Sequence, residues 1–541
     1  MRENLAFDEK LERSHPLNVE NATASLQATT GDVTNQTNEA NNNLTGQIKS
    51  RKSLLVFALI IFLIAATGFG YYFYNSKKSA SGAAVKKSLA VLPFVNANQD
   101  ANADYLSDGI SESIINNLSQ ISSLRVMSRN SAFRFKDNQT DTKNIALQLG
   151  VETLVMGDIK QLGDKLVINV RLIDASDDSQ IWGNQYVKSS ANILAAQNEI
   201  AQAVANNLRV KLTNSEKQKL AKNYTENVEA YEFYLKGRFY VSKVTLPEIN
   251  KGISYFQQAI DLDPNYALAY TGLAEAYRAS VLSADRPPTE FLKAKAAAKK
   301  AIELDDSLSE AHHNLGAVMF FYDWDWKESE NQFQRALELD PGNAYAHWVY
   351  ALLLSATLRH AEALAEVKRA RELDPLNLMI IMAEGVCLNA AGKPDEALAG
   401  MQKALELNPN FWATHLIISN AYIQKGMFSE AIAEARKAKE LNDNNAIFDA
   451  NIGFALAKSG KPEEARAVLN ELLKSSTDHY VPPLSIAVIY NGLDERDETL
   501  NWLERGVNAR DVDSVFLKVS PIWNNLRREP RFAELMRKMK F

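Results

Sequence analysis

Residues 373–409 read LDPLNLMIIMAEGVCLNAAGKPDEALAGMQKALELNP, and this stretch decides the fold of the carboxyl-terminal half of the chain. It opens and closes on one phrase, Leu373-Asp-Pro375 and Leu407-Asn-Pro409, 34 residues apart. Between them Gly392-Lys-Pro-Asp395 divides the segment in two, glycine ending one helix and proline standing in the first turn of the next. Pro375 and Pro409 keep each second helix from running on. Outward, the phrase returns at Leu262-Asp-Pro264, Leu304-Asp-Asp306, Leu339-Asp-Pro341 and Leu441-Asn-Asp443, giving spacings of 42, 35, 34, 34 and 34. The 42 is a 34 with eight residues inserted around Ala284-Asp-Arg-Pro-Pro-Thr289. Small residues at Gly385, Ala397, Ala404, Ala431, Ala438, Gly453 and Ala465 let paired helices approach closely. A single hairpin leaves an apolar face that only its neighbour covers, so such an array is stable as a stack.

The period is that of the tetratricopeptide repeat, a helix–turn–helix unit. Seven or eight hairpins are expected over 228–506, with the first (228–264) and the last (478–506) irregular, as terminal caps are. In the tail 507–541, Trp523-Asn-Asn-Leu526, Phe532 and Leu535 predict a helix that covers the last repeat. The fold class is therefore mostly α, an α-α superhelical solenoid, preceded by two further segments of different character.

Residues 86–213 alternate between strand and helix patterns. Ser88–Val95 is a short apolar run of buried-strand type, and Asp104–Leu118 carries its apolar residues at helical spacing. A strand at Leu124–Ser128 and a helix at Thr142–Leu149 follow. Val151–Ile159 and Lys165–Asp174 read as a hairpin turned at Gln161-Leu-Gly-Asp164, then come a strand at Gln180–Val187 and a closing helix at Ile193–Leu212. A small mixed α/β domain is predicted. Through Ala90-Val-Leu-Pro-Phe94, Tyr105-Leu-Ser-Asp-Gly-Ile110, Val126-Met-Ser-Arg129, Met156-Gly-Asp158, Arg171-Leu-Ile-Asp-Ala175 and Ile181-Trp182, the segment resembles the TolB amino-terminal-like domain. The resemblance implies a module placed between a membrane helix and tetratricopeptide repeats, with no catalytic role. Asp108-Gly109 is read as a helix-start cap, and together with Asp158 is the best place for a small ligand if the module takes one.

Leu54–Tyr74 is an apolar run of 21 residues, and no charge lies between Ser53 and Ser76. At helical rise it spans about 31 Å, the hydrocarbon thickness of a bilayer. Its depth in the chain and its length argue against a cleaved signal peptide, so a single transmembrane helix over 53–76 is expected. Residues 1–50 are rich in Asn and Thr and too poor in large apolar side chains to order themselves. Flanking lysines and arginines are nearly balanced, so charge does not orient the span. Relatives of the same layout keep an amino-terminal DNA-binding domain inside the cell. That resemblance implies a bacterial inner (plasma) membrane protein, single-pass, with its folded domains periplasmic or otherwise extracytoplasmic.

A net charge of −6 without a concentrated basic face argues against nucleic acid as a partner. The one cysteine, Cys387, sits in a helical packing context and excludes an internal disulfide and cysteine-rich metal sites. No HExxH, GxSxG, kinase signature, GxxxxGK[ST] or GxGxxG occurs, so no enzyme, cofactor or metal is expected. Relatives of this architecture also include winged-helix regulators and nucleotide cyclases, which keeps a signalling or transcription-regulator relative lacking its output domain as the alternative.

The expected function is a membrane-anchored scaffold that binds protein or peptide partners in the concave face of the array, as a sensor or assembly protein. Family positions that line this face map to Tyr345 and Trp348 in repeat four, and to Met379, Met382 and Asn389 in repeat five. They map to Asn420 in repeat six and to Asn451 and Phe454 in repeat seven. The aromatic and methionine side chains suit an apolar segment. Asn420 and Asn451 match carboxylate-clamp asparagines, but Leu416, Val481 and Ser485 stand where that clamp has its cations.

Overall fold

The computed structural model describes residues 87–541, apart from 101–102, 190–191, 283–286 and 443–444. The expected span at 53–76 and the Asn/Thr-rich segment at 1–50 lie outside the described residues. Among the described residues no helix is long and apolar enough to cross a membrane.

The α/β module is a mixed sheet in the order β3-β1-β4-β5-β6. Strand β1 (Lys87–Val91) lies between β3 (Leu124–Val126) and β4 (Thr153–Leu162), parallel to both. The short β2 (Val95–Asn96) also pairs with β4. Strands β5 (Lys165–Asp174) and β6 (Ser179–Ser189) complete an antiparallel meander. Residues alternate across a strand, and β1 shows why its run is apolar throughout. Leu89 and Val91 face a core with helices α1 (Asp104–Ser119) and α4 (Ile193–Asn207), while Ala90 and Leu92 face one with α3 (Thr142–Leu149). The short turn α2 (Arg129–Ala132) follows β3, and α5 (Asn214–Leu220) leads out of the module through a capping box on Thr213 and Glu216.

Eight helical hairpins follow, from Val228–Val241 paired with Leu246–Leu262 to Pro483–Gly492 paired with Arg496–Ala509. The turn inside the later hairpins requires a left-handed residue, and it recurs every 34 positions. Gly392, Gly426 and Gly460 take it with φ of 71°, 71° and 82°. Trp324, Leu358 and Asp494 stand at the same phase with φ of 55°, 68° and 62°, where a side chain makes the conformation unfavourable.

In the tail Trp523, Leu526, Phe532 and Leu535 are buried, and its contacts reach beyond the last repeat. Trp326 Nε1 donates to the Met539 carbonyl at 2.9 Å, and its ring stacks on Phe541 at 4.3 Å. The Arg510 guanidinium lies 3.9 Å over Trp324 and donates to the Tyr322 carbonyl at 3.1 Å. The end of the array thus meets the third repeat, and the solenoid closes on itself.

The module is not a separate bead on the array. Its α1 core continues into the first repeat through Tyr231, Tyr234 and Leu235. A Cβ on Gly109 would stand 2.7 Å from the Leu235 side chain, so this glycine permits close approach of the first repeat and does not shape a helix start. The capping role read for Asp108 is corrected likewise. Helix α1 begins at Asp104, which puts Asp108 in the second turn, buried and ion-paired to Lys136 at 2.8 Å. Asp158 accepts from Asn169 at 2.8 Å. At the other side, fully buried Ser131 donates to the Asp374 carboxylate and accepts from the Leu376 amide at 2.9 Å. Arg134 reaches the carbonyls of Leu376 and Leu407 at 3.2 and 3.3 Å. The Leu-Asp-Pro phrase at 373–375, a helix stop in sequence, is here also a docking point for the module.

Candidate functional site: a chamber between module and repeats

Between the module and the concave face of the repeats lies a cavity of about 1610 Å³. Helix α1 and Arg129 form one wall, and the first helices of successive repeats form the other. Repeat one contributes Tyr234 and Arg238, repeat two Glu275 and Arg278, and repeat three Glu310 and His313. Tyr345 and Trp348 of repeat four and Met379 and Met382 of repeat five continue the strip, with Trp412 beyond. The stretch from Arg238 to His313 is charged, and the strip from Tyr345 to Trp412 is largely aromatic and thioether.

The charged stretch is a chain of ion pairs across the module boundary. Glu112 of α1 binds Arg129 at 3.0 Å and also Arg238, which in turn binds Glu275 at 2.5 Å. Burial pushes the Glu112 carboxyl up, but Arg238 and Arg129 more than reverse it and hold it below the ordinary range. Burial likewise opposes the charge on Arg238, and Glu112 and Glu275 overcome it, keeping the guanidinium firmly protonated. Glu310 has no such partner. Burial raises its carboxyl to about 7, Arg238 opposing and Glu275 and Glu112 adding to the rise. Burial, with Arg278 and Arg238 nearby, lowers His313 well below the usual imidazole range, so its ring is neutral.

The eight residues expected to contact a partner divide evenly. Tyr345, Trp348, Met379 and Met382 line the chamber. Trp348 is buried, and its Nε1 has no hydrogen-bond partner. The other four lie between neighbouring repeats. Asn389 donates to the Ile417 carbonyl at 3.3 Å, and Asn451 donates to Asn420 at 2.8 Å and to Ser419 at 3.3 Å. Phe454 packs where a Cβ on Gly492 would stand 2.9 Å from its Cα. Asn420 and Asn451 satisfy one another along a seam of the stack, while among the described residues the Asn389 side-chain oxygen has no partner. Cys387 is buried, its thiol pushed up to about 12 by burial, and is not placed to react.

Glu310 and His313 were legible by phase alone. They stand 35 residues before Tyr345 and Trp348, which stand 34 before Met379 and Met382. Arg238 and Arg278 had no such signal, because they sit later on their helices and matter only through what the fold sets opposite them. Among the described residues no cluster of three His, Cys, Asp or Glu side chains is placed to hold a metal ion.

Comparison with known proteins places this geometry in context. Tetratricopeptide-repeat profiles match residues 321–377 and 388–450, so the array is one of tetratricopeptide repeats. The profile for the second domain of HilA/YgeH-like transcriptional regulators matches residues 85–203. A protein named "Putative adenylate cyclase 3" from Rhizobium meliloti (strain 1021) is 29% identical over 236 residues, 43% of this chain and 40% of that one. The chain therefore spans less than half the length of that relative. Among solved structures, Pseudomonas aeruginosa pilF is 21% identical, covering 43% of this chain and 96% of its own, with a TM-score of 0.32. The human IFIT1 dimer with m7Gppp-AAAA is 15% identical over 65% of this chain and 88% of its own, with a TM-score of 0.40.

Proposed function

We propose that this tetratricopeptide-repeat protein is a membrane-anchored, non-enzymatic scaffold whose recognition element is the chamber between module and repeats. The carrying observation is that Tyr345, Trp348, Met379 and Met382, at equivalent positions of two repeats, line one concave surface. Aromatic and thioether side chains give adaptable contact area to a protein or peptide segment. The apolar run at 54–74 is the anchor in this reading, and the likeness of 86–213 to TolB-type modules favours an extracytoplasmic location. A photo-crosslinking residue in place of Trp348 or Met382, in cells making the full chain, is expected to trap a distinct partner. Crosslinks that form only from the outer faces of the second helices would overturn the assignment to the chamber. Alkaline phosphatase fused after Asn98 is expected to be active, and a cytoplasmic fluorescent readout without phosphatase activity would reverse the orientation.

A second reading rests on the profile match at 85–203 and on the 29% identical relative. Both carry names from signalling and transcription, so the chain can belong to a regulatory pathway in which the chamber reports occupancy. Formation of cyclic AMP from ATP by the purified full chain would overturn the non-enzymatic proposal.

A further inference from the structure

Arg278 is 3% exposed, and among the described residues no carboxylate lies within ion-pair distance of it. Arg129 and Arg238, from opposite chamber walls, both hold Glu112. Arg278 instead donates from Nε to the Asn314 side-chain carbonyl at 3.1 Å and from Nη1 to the Tyr345 hydroxyl at 2.6 Å, with Cζ 4.7 Å from the Tyr345 ring centre. A guanidinium offers five N–H groups, and these bonds leave donors unused. A buried charge without a counter-ion is costly unless something supplies one.

Two neighbouring donors are also unspent. The Tyr345 hydroxyl accepts from Arg278, so its own hydrogen is left to give. The His313 ring lies 5.1 Å from the Tyr345 ring, and Asn343 approaches its Nδ1 at 3.2 Å. The Asn343 side-chain oxygen already accepts from the Ala346 amide, so its nitrogen faces His313. Nδ1 of the neutral ring then accepts, and the proton is on Nε2. The nearest carboxylates do not fill the gap, since Glu275 is held by Arg238 and burial raises Glu310 to about 7.

We infer that Arg278, Tyr345 and His313 bind the carboxylate of a ligand whose apolar body lies along Trp348, Met379 and Met382. This rests on the reading of the chamber as a recognition site. The forked guanidinium matches a planar two-oxygen acceptor. A chamber of about 1610 Å³ exceeds the roughly 300–1,000 Å³ of most small-molecule pockets, which leaves room for the body. The carboxylate can be that of a small organic acid or of a polypeptide chain end.

Four probes test this on the full chain in lipid nanodiscs: 4-phenylbutyrate, its amide, and an acetylated Ala-Ala-Leu-Phe tetrapeptide as free acid and as amide. Binding is read by tryptophan fluorescence and by melting shift. At least one acid is expected to bind about tenfold more tightly than its amide, the worth of a charged hydrogen bond. Whichever acid shows the larger preference identifies the source of the carboxylate. Tyr345→Phe, which removes one hydroxyl, is expected to weaken the acid about fivefold and leave the amide unchanged, with a lower melting temperature because Arg278 loses an acceptor. Arg278→Gln is expected to abolish the acid preference. Equal binding of acids and amides, or binding of none of the four, overturns the carboxylate assignment. Crosslinking of a partner at Trp348 would still stand in that case, so failure of the inference and failure of the scaffold reading are told apart.

Discussion

Repeats one to four and repeats five to eight share a period but use their concave faces differently. In the first set the chamber wall carries Arg238, Glu275, Arg278, Glu310 and His313, and the α/β module supplies Glu112 and Arg129 opposite. In the second set the first helices meet through small side chains and asparagines, such as Asn451 on Asn420. The buried ion pairs with the module lie in the first half of the array, whereas the second half is held mainly by contacts between neighbouring repeats, with Arg134 on the Leu407 carbonyl and the tail on Asn491 as contacts from outside. Burying charges gains little net stability, since desolvation opposes the pairing. Such a network is therefore better explained by specificity of docking and recognition than by strength.

The contrast can be broken most severely at Arg238. Arg238→Met leaves Glu275 unpaired and Glu112 with Arg129 alone, and is expected to cost about 3–5 kcal/mol. The melting temperature should fall and proteolysis between module and array should speed up. The double variant Glu112→Gln, Arg238→Met should recover part of the loss. A single variant that melts like wild type would show that the network does not hold the two parts together.

Glu310 gives a pH-dependent test of the same wall. Its folded pKa is raised above the unfolded value, so the stability it contributes is full below about 4.5 and is lost as pH rises through about 7. Glu310→Gln should therefore be more stable than wild type at pH 8.5, by at most about 3 kcal/mol, and nearly equal to it at pH 4.5. Melting curves at the two pH values check this, and a constant difference would place Glu310 in contact with water.

In the second half the same kind of deletion should matter less. Asn451→Ala removes bonds to Asn420 and Ser419 and should cost about 1–2 kcal/mol, seen in the melting temperature with no change in crosslinking from Trp348. The smallest effect is expected in the turn of the fourth hairpin. Leu358 is half exposed and left-handed where later repeats have glycine, so Leu358→Gly should raise stability by about 1 kcal/mol or less. A lower melting temperature would mean that its side chain contributes packing worth more than the backbone relief.

The sequence by itself determined most of what is local and periodic in this protein, though not the helix start read at Asp108. The 34-residue phrase gave the hairpins, the apolar run at Ser88–Val95 gave a buried strand, and repeat phase pointed to Tyr345, Trp348, Met379 and Met382. The same phase placed Asn389, Asn420, Asn451 and Phe454 on the concave side. Whether such a residue meets a chamber or a neighbouring repeat depends on packing that phase does not carry. Only the tertiary structure joined Glu112 to Arg238 across 126 residues, Ser131 to Asp374 across 243 and Trp326 to Met539 across 213. The reason is geometric: each repeat adds a small rotation, and the summed curvature decides which distant side chains meet. No pattern within one repeat encodes that sum, so an arginine left without its carboxylate at position 278 becomes visible only once the solenoid is closed.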